Sequence, residues 1–286
     1  MAYTSDTPWG EKPGNFQRPR AVQTAVSRDR TKPRGPQGFR PKPVAEANTF
    51  PFQDTAPAVQ RRYSIAFLAS DGSKQFFEHI TASGVGLEKI CANFARGTLI
   101  KTPSGAVSVE DLRPGDLVTT KDNGPQALRW IGSCPLRQIK SQTDEALLPI
   151  RIKADALGFL RPDQDLVVAS HFRLLVNHPN CASLFGSPET LAPATNLLDG
   201  DSILRVQTGE DVNFYNLLFD QHQIISANGL ETESYHPGNF GISAMSYTLQ
   251  SHILAIFPHL NGDLNNFGKT VRPILKGFEA EVLKVG

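Results

Sequence analysis

Short runs of alternating apolar and polar residues, separated by turn-forming clusters, fill residues 91–132. The clusters at residues 102–105, 113–116 and 123–124 contain Pro, Gly or Asn, which supply the fixed or positive φ of tight turns. The apolar positions between them are Leu99, Val107, Val109, Leu112, Leu117, Leu128 and Trp130. This spacing predicts an antiparallel β meander with one face against a core.

More strands are predicted on both sides of the meander. Residues 63–68 run into Asp71-Gly72, a strong hairpin signal, and return through residues 75–78. Further strands are predicted at residues 147–152, 165–176, 212–218 and 223–226. One helix is predicted at residues 242–257, where apolar residues recur at helical spacing before Pro258. The predicted fold class is mostly β with a short C-terminal helix.

The first sixty residues differ in kind from the rest. Arginines and lysines alternate there with prolines, and almost no aliphatic periodicity connects them. Such a segment buries too little apolar area to offset its ordering entropy, so residues 1–60 are predicted to form a disordered basic arm. A solvated tail is the favoured interpretation of that arm. Contact with an acidic partner or nucleic acid is the alternative.

Composition narrows the classes of partner. The chain has 286 residues, 40% of them hydrophobic, and a net charge of +1, which argues against a nucleic acid or an anionic membrane as partner of the whole chain. Its longest apolar run, residues 253–257, is too short for a membrane span, and the first ten residues lack the order of a signal peptide. A cytoplasmic or non-classically secreted protein is expected. The three cysteines show no disulfide or metal-site spacing, so no metal or cofactor is expected.

Two blocks of sequence resemble a Hint domain, the self-processing module shared by hedgehog proteins and inteins, and are most similar to its bacterial branch. The first block reads GT at 97–98, VEDL at 109–112, PGD at 114–116 and WIG at 130–132. The second reads YNL at 215–217, then His222, then ANGL at 227–230. The resemblance covers about residues 91–235 and implies a Hint β fold. Residues 61–90 would form a hairpin lead-in, and residues 236–286 a C-terminal extension.

The resemblance implies a cysteine that attacks the carbonyl just before it and forms a thioester. Cys91 is the candidate, which makes Ile90-Cys91 the scissile bond and the chain's own N-terminal segment the substrate. In the family the cysteine lies four residues before the Gly of GT, and this chain has Asn93 there. Cys91 therefore either substitutes through a shifted register or is a bystander. The β-branched Ile90 is expected to slow thioester formation and breakdown.

The reaction also requires an imidazole that protonates the departing nitrogen. His171 is the candidate, although aligning it with the family histidine leaves Val168 at the family's Thr or Ser position. The other alignment leaves Phe172 at the histidine position. His222, two residues after Asp220, is the candidate for an assisting group. The alternative for either histidine is a purely structural role.

The end of the second block indicates the outcome of the reaction. Splicing in inteins requires a terminal His-Asn pair, and this chain has Glu233 and Ser234 at the matching positions. Full splicing is therefore not expected. Single-turnover release of the N-terminal segment by water or a small nucleophile is the leading hypothesis. The competing hypothesis is a degenerate Hint fold that persists as a non-catalytic binding or structural module.

Overall fold

The computed structural model describes residues 60–69, 71–82, 85–136, 148–207, 211–239, 247, 250–251, 254, 263–277 and 279, all within the compact unit Asp54–Gly286. The predicted basic arm therefore lies outside the described residues, apart from Gln60. Of the predicted helix at 242–257, only Tyr247, Gln250, Ser251 and Leu254 are described, and all four are helical. No helix within the described part of the chain is long and apolar enough to cross a membrane.

Besides the four helical residues between 247 and 254, the described residues form sixteen strands and two α-helices. The strands are β1 (Gln60–Leu68), β2 (Lys74–Ala82), β3 (Phe94–Ala95), β4 (Leu99–Thr102), β5 (Gly105–Ser108), β6 (Leu117–Thr120), β7 (Gly124–Ala127), β8 (Trp130–Leu136), β9 (Ile150–Ile152), β10 (Leu166–Val168), β11 (Arg173–Asn177), β12 (Glu189–Pro193), β13 (Ile203–Arg205), β14 (Val212–Leu218), β15 (Ile224–Ala227) and β16 (Leu230–Glu233). The helices are α1 (Val85–Cys91) and α2 (Pro179–Phe185). Short 3-10 turns occupy Val109–Asp111, Ala194–Leu197, Pro237–Asn239 and Leu264–Phe267. The mostly β prediction is confirmed.

The strands build two antiparallel sheets. The first sheet has the order β13-β9-β10-β3-β14-β8-β1-β2. The second runs β12-β11-β16-β15-β4-β5, and the β6-β7 hairpin joins it through β15. The predicted hairpin of residues 63–78 is the β1-β2 pair, with Gly72 at φ 82° in its turn. The predicted meander supplies β4 to β8, and its turn residues Gly105, Gly115 and Gly124 all have positive φ.

Apolar side chains form two main clusters. The larger one joins both sheets, because Phe94 and Ile152 of the first sheet pack in it with Ile100 and Ile225 of the second. The other cluster packs α1 against β1, β8 and β14, and Trp130 is its largest member. This second cluster encloses the end of α1 and determines the surroundings of Cys91.

The predicted strand at residues 165–176 is wrong as a single strand. Its first part is β10 of the first sheet, its second part is β11 of the second, and the chain turns between them. Phe172 N donates to Ala169 O at 3.0 Å within this turn, and Ala169 N donates to Asn93 O at 2.9 Å. His171 therefore lies in a turn between the two sheets and not on a strand.

The expected inward orientation of Leu117 is also wrong. Leu117 is half exposed, whereas Val118 and Thr120 of the same strand are buried. The run Leu117-Val118 offers two adjacent apolar residues, and a shift of one residue exchanges the two faces of a strand. Alternation alone therefore assigned the wrong member of the pair to the core.

Candidate functional site

The Ile90-Cys91 peptide bond lies in the interior at the C-terminal end of α1. Ile90 is 2% exposed and Cys91 is fully buried. Both side chains belong to the cluster of Trp130, and Cys134 of β8 and Phe214 of β14 pack there as well. The helix is short, so it is held by this packing and not by its intrinsic stability.

The carbonyls at the end of α1 have one local partner and one from a distant part of the chain. The last carbonyls of a helix lack intrahelical donors and need others. Glu88 O accepts from Ala92 N at 2.7 Å. The Ile90 carbonyl, which precedes the candidate cysteine, accepts from Asn216 Nδ2 at 2.8 Å. Asn216 is 2% exposed, so this hydrogen bond lies in a dry environment.

His171 lies beside the same peptide bond. Its imidazole lies close enough to the backbone of Lys89 and of Ala92, on either side of the Ile90-Cys91 bond, for both to raise its pKa. Burial, together with the charges of Lys89 and Arg173, lowers the pKa of His171 to about 4, although the backbone of Ala92 and of Lys89 opposes this shift. The imidazole is therefore neutral at pH 7, with one nitrogen that donates and one that accepts.

The Cys91 thiol is surrounded by groups that disfavour its ionisation. Burial raises the pKa of Cys91 well above its usual range, and the nearby Cys134 adds to this. Burial likewise raises the pKa of Cys134 to about 12. The pKa of Tyr235 is raised by burial and by Cys91. Cys91 is thus a neutral thiol at pH 7, and its attack on a carbonyl requires a base.

A comparison with protein-family models matches residues 91–239 to the Hint domain. The match spans just over half of the chain and starts at Cys91. This chain belongs to the Hint family. A search of curated proteins found no match. The expected Hint β fold is confirmed, and the last residues of the matched Hint domain form the 3-10 turn Pro237–Asn239.

His222 of the Hint domain lies in a different set of contacts. Its Nδ1 accepts from Val271 N at 3.1 Å, so that nitrogen carries no proton and Nε2 does. The Nε2 atom lies 3.1 Å from Ser234 O and 3.2 Å from Glu233 Oε2. Asp220, the expected helper of His222, forms an ion pair with Arg129 at 2.7 Å.

The alternative alignments placed Asn93 at the family's cysteine position and Phe172 at its histidine position, and the two residues lie in different surroundings. Asn93, at the family's cysteine position, is buried, and its backbone N donates to Tyr215 O at 3.0 Å. Phe172, at the family's histidine position in one alignment, is fully buried and packs edge-on against Phe94 with ring centroids 5.8 Å apart. Phe172 is therefore part of the main core, and His171 is the residue that lies near the backbone of Lys89 and Ala92.

The sequence patterns assigned no role to Asn216 or Tyr235. Asn216 was included in the second block only as part of its YNL motif. A signal for it existed, because Asn216 stands next to Leu217 and Leu218 in a strand with buried positions, and a buried amide needs partners. No group of three or more His, Cys, Asp or Glu suited to a metal ion occurs within the described ranges.

Proposed function

We propose that this Hint domain cleaves its own chain between Ile90 and Cys91. The observation that supports this best is the hydrogen bond from Asn216 Nδ2 to Ile90 O, at 2.8 Å and fully buried. A donor fixed on a carbonyl oxygen stabilises the negative charge that develops there when a nucleophile adds to the carbonyl carbon. Asn216 is the proposed oxyanion donor.

The first step is an N-to-S acyl shift. Cys91 Sγ bonds to the carbonyl carbon of Ile90 while His171 accepts the thiol proton. The bond between the Ile90 carbon and the Cys91 nitrogen then breaks, and His171 delivers the proton to that nitrogen. The products are a thioester at Ile90 and a free amino group on Cys91, so atoms and charge balance. A neutral imidazole is required for the first proton transfer, and the low pKa of His171 supplies it at pH 7.

The second step resolves the thioester. Water, or a small nucleophile such as hydroxylamine, adds to the thioester carbonyl and expels the Cys91 thiol. Residues 1–90 then end in a carboxylate or a hydroxamate, and residues 91–286 begin with Cys91. The substrate is the N-terminal segment of the same chain, and no cofactor takes part. The branched Ile90 side chain crowds this carbonyl, so slow turnover over hours is expected.

Intact-mass measurement under denaturing conditions tests this proposal. The purified chain is incubated with hydroxylamine or dithiothreitol, and two fragments that meet at residues 90 and 91 are expected. Cys91→Ala abolishes them, and Asn216→Ala slows their appearance about 100-fold, as loss of one oxyanion donor does elsewhere. Cys134→Ala, which removes a second buried thiol of the same cluster, leaves cleavage in place. An intact wild-type chain under all these conditions overturns the proposal.

A second candidate function is a Hint fold kept as a non-catalytic binding or structural module. One observation favours it: Cys91 is fully buried, and burial raises its pKa well above the usual range. In that case Asn216 only caps the Ile90 carbonyl, and His171 only packs beside the end of α1. The same mass measurement separates the two functions. In the non-catalytic case Asn216→Ala lowers stability, and the wild-type chain stays whole.

A further inference from the structure

Strand β2 forms one end of the first sheet, and β1 is its strand partner among the described residues. Ala69 N donates to Ser73 O at 2.8 Å, which makes them a hydrogen-bonded pair next to the turn. Hydrogen-bonded and non-hydrogen-bonded pairs alternate along an antiparallel ladder. The odd-numbered residues 75–81 therefore bond to β1, and the even-numbered residues 74–80 direct their backbone N–H and C=O groups away from the sheet.

The same even-numbered residues share one face of β2, and two of them are large exposed hydrophobics. Phe76 is 65% exposed and Ile80 is 59% exposed. The opposite face is different, because Phe77 packs edge-on against Phe67 with ring centroids 6.4 Å apart. An open edge with exposed apolar side chains is a template for an added strand.

The charges on this edge complement those of a second β2 strand. Lys74 has no ion-pair partner within the described part of the chain, and Glu78 lies 3.5 Å from Arg62. If two β2 strands pair antiparallel with Phe76 opposite Phe76, each Lys74 faces the Glu78 of the other copy. A shift that places Glu78 opposite Glu78 brings like charges together, which is unfavourable. Only the first register combines an aromatic pair with two opposite-charge pairs.

We propose that β2 pairs with β2 of a second copy of this chain about a two-fold axis at Phe76, which joins two first sheets into one continuous sheet. The contact is isologous, so it closes as a dimer and does not propagate. Two paired strands bury less than about 1,200 Å², the size class of weak and reversible complexes. The dimer is expected to form above about 10 μM and to dissociate on dilution.

Sedimentation velocity of the full chain across a concentration series tests the pairing. The wild-type chain is expected to shift from monomer to dimer, and Phe76→Lys is expected to weaken dimerisation at least about tenfold. Phe159→Lys is the matched control, because Phe159 is 86% exposed but lies outside any strand. A wild-type monomer at 100 μM, a figure set about tenfold above the expected range, overturns the proposal, as does equal weakening by both variants.

Charge exchange and crosslinking test the register. Lys74→Glu alone should weaken the dimer, and Lys74→Glu combined with Glu78→Lys should restore it. Under mild oxidation Phe76→Cys should give a disulfide-linked dimer, since the two residues face each other across the axis. Glu78→Cys should not, because the two copies of that residue lie about 13 Å apart along the strands. The native cysteines are buried and contribute little background. Crosslinking through residue 78 and not through residue 76 overturns the proposed register.

Discussion

At the scale of single residues, the indole of Trp130 folds over Gly132, two positions further along the same strand. A Cβ built at Gly132 would lie 2.7 Å from Trp130 Cζ2, well inside contact distance. Trp130 is buried and stacks on Tyr235 with ring centroids 5.8 Å apart. Tyr235 in turn lies close enough to Cys91 for the thiol to raise the pKa of Tyr235. The WIG motif therefore fixes the packing behind the proposed nucleophile.

Gly132→Ala should destabilise the fold. The added methyl group forces the indole out of place, and such overpacking costs about 1–3 kcal/mol. Urea unfolding followed by tryptophan fluorescence measures the change. Gly277→Ala is the control, because a Cβ there meets nothing within 4 Å. Equal stability of the Gly132→Ala variant and the wild type would show that the indole can move away at no cost.

The low pKa of His171 predicts a pH dependence of stability. The folded chain holds this pKa near 4, below the ordinary value of 6.5, so between these values the unfolded chain binds a proton that the folded chain excludes. The contribution of neutral His171 to the free energy of unfolding is fully present above pH 6.5 and is lost as the pH falls toward 4. The loss amounts to at most about 3 kcal/mol.

Urea midpoints measured from pH 7.5 to pH 4 check this dependence. His171→Gln keeps a hydrogen-bonding side chain but does not titrate, so its stability should fall less over the same range. The difference between the two curves isolates His171 from the carboxylates that titrate in the same experiment. Parallel curves would contradict the assigned shift.

At the scale of elements, β11 and β16 are joined by a buried ion pair. Arg173 and Glu233 are both nearly buried and hydrogen-bonded to each other, and His222 contacts the same carboxylate. Burying two charges is costly, and the pair offsets this cost only while both members are present. The ion pair therefore favours the correct pairing of β11 with β16 more than it adds to the net free energy of unfolding.

Glu233→Gln should reduce the free energy of unfolding by about 3–5 kcal/mol, because it leaves the Arg173 charge buried without a counter-charge. Chemical denaturation followed by circular dichroism measures the loss. Asp201→Asn is the contrast: its ion pair with Lys153 is exposed, and removing an exposed pair costs less than about 1 kcal/mol. A loss of similar size in both variants would argue against the buried pair as a distinct interaction.

Sequence patterns predicted where strands occur better than where one strand stops and the next begins. The hairpin of residues 63–78 and the strand at 212–218 follow local turn chemistry and alternation, so both were found. The turn at 169–172 contains neither Gly nor Pro, and a hydrogen bond from Ala169 N to Asn93 O holds it. A contact between residues 76 positions apart has no local signal. The sequence therefore identified His171 as a candidate but did not predict that it lies beside α1.

At the scale of the whole molecule, the proposed site draws on three distant parts of the chain. Ile90 O and Asn216 Nδ2 meet across 126 positions, because β14 lies between β3 and β8 in the first sheet. The fold also extends past the family match on both sides. Strand β1 pairs with β8, and Leu275 is buried near Cys181 and Ala192.

A chain limited to residues 91–239 should therefore fail to fold stably, although it comprises the whole family match. It lacks β1, and it lacks the segment whose Val271 N donates to His222. Far-UV circular dichroism and amide hydrogen exchange of residues 91–239 and of residues 60–286 provide the comparison. Slow exchange in the shorter chain, equal to that of the longer one, would show that the flanking elements are dispensable.

The position of β1 has a consequence for what cleavage achieves. Residues 60–90 contribute two strands to the first sheet and a helix to its buried cluster. Cutting the chain after Ile90 removes one covalent bond but none of these contacts. The two pieces should stay together as a nicked molecule that elutes as one species in native buffer and separates only in denaturant. Liberation of whatever lies upstream would then need a pulling force or a competing strand.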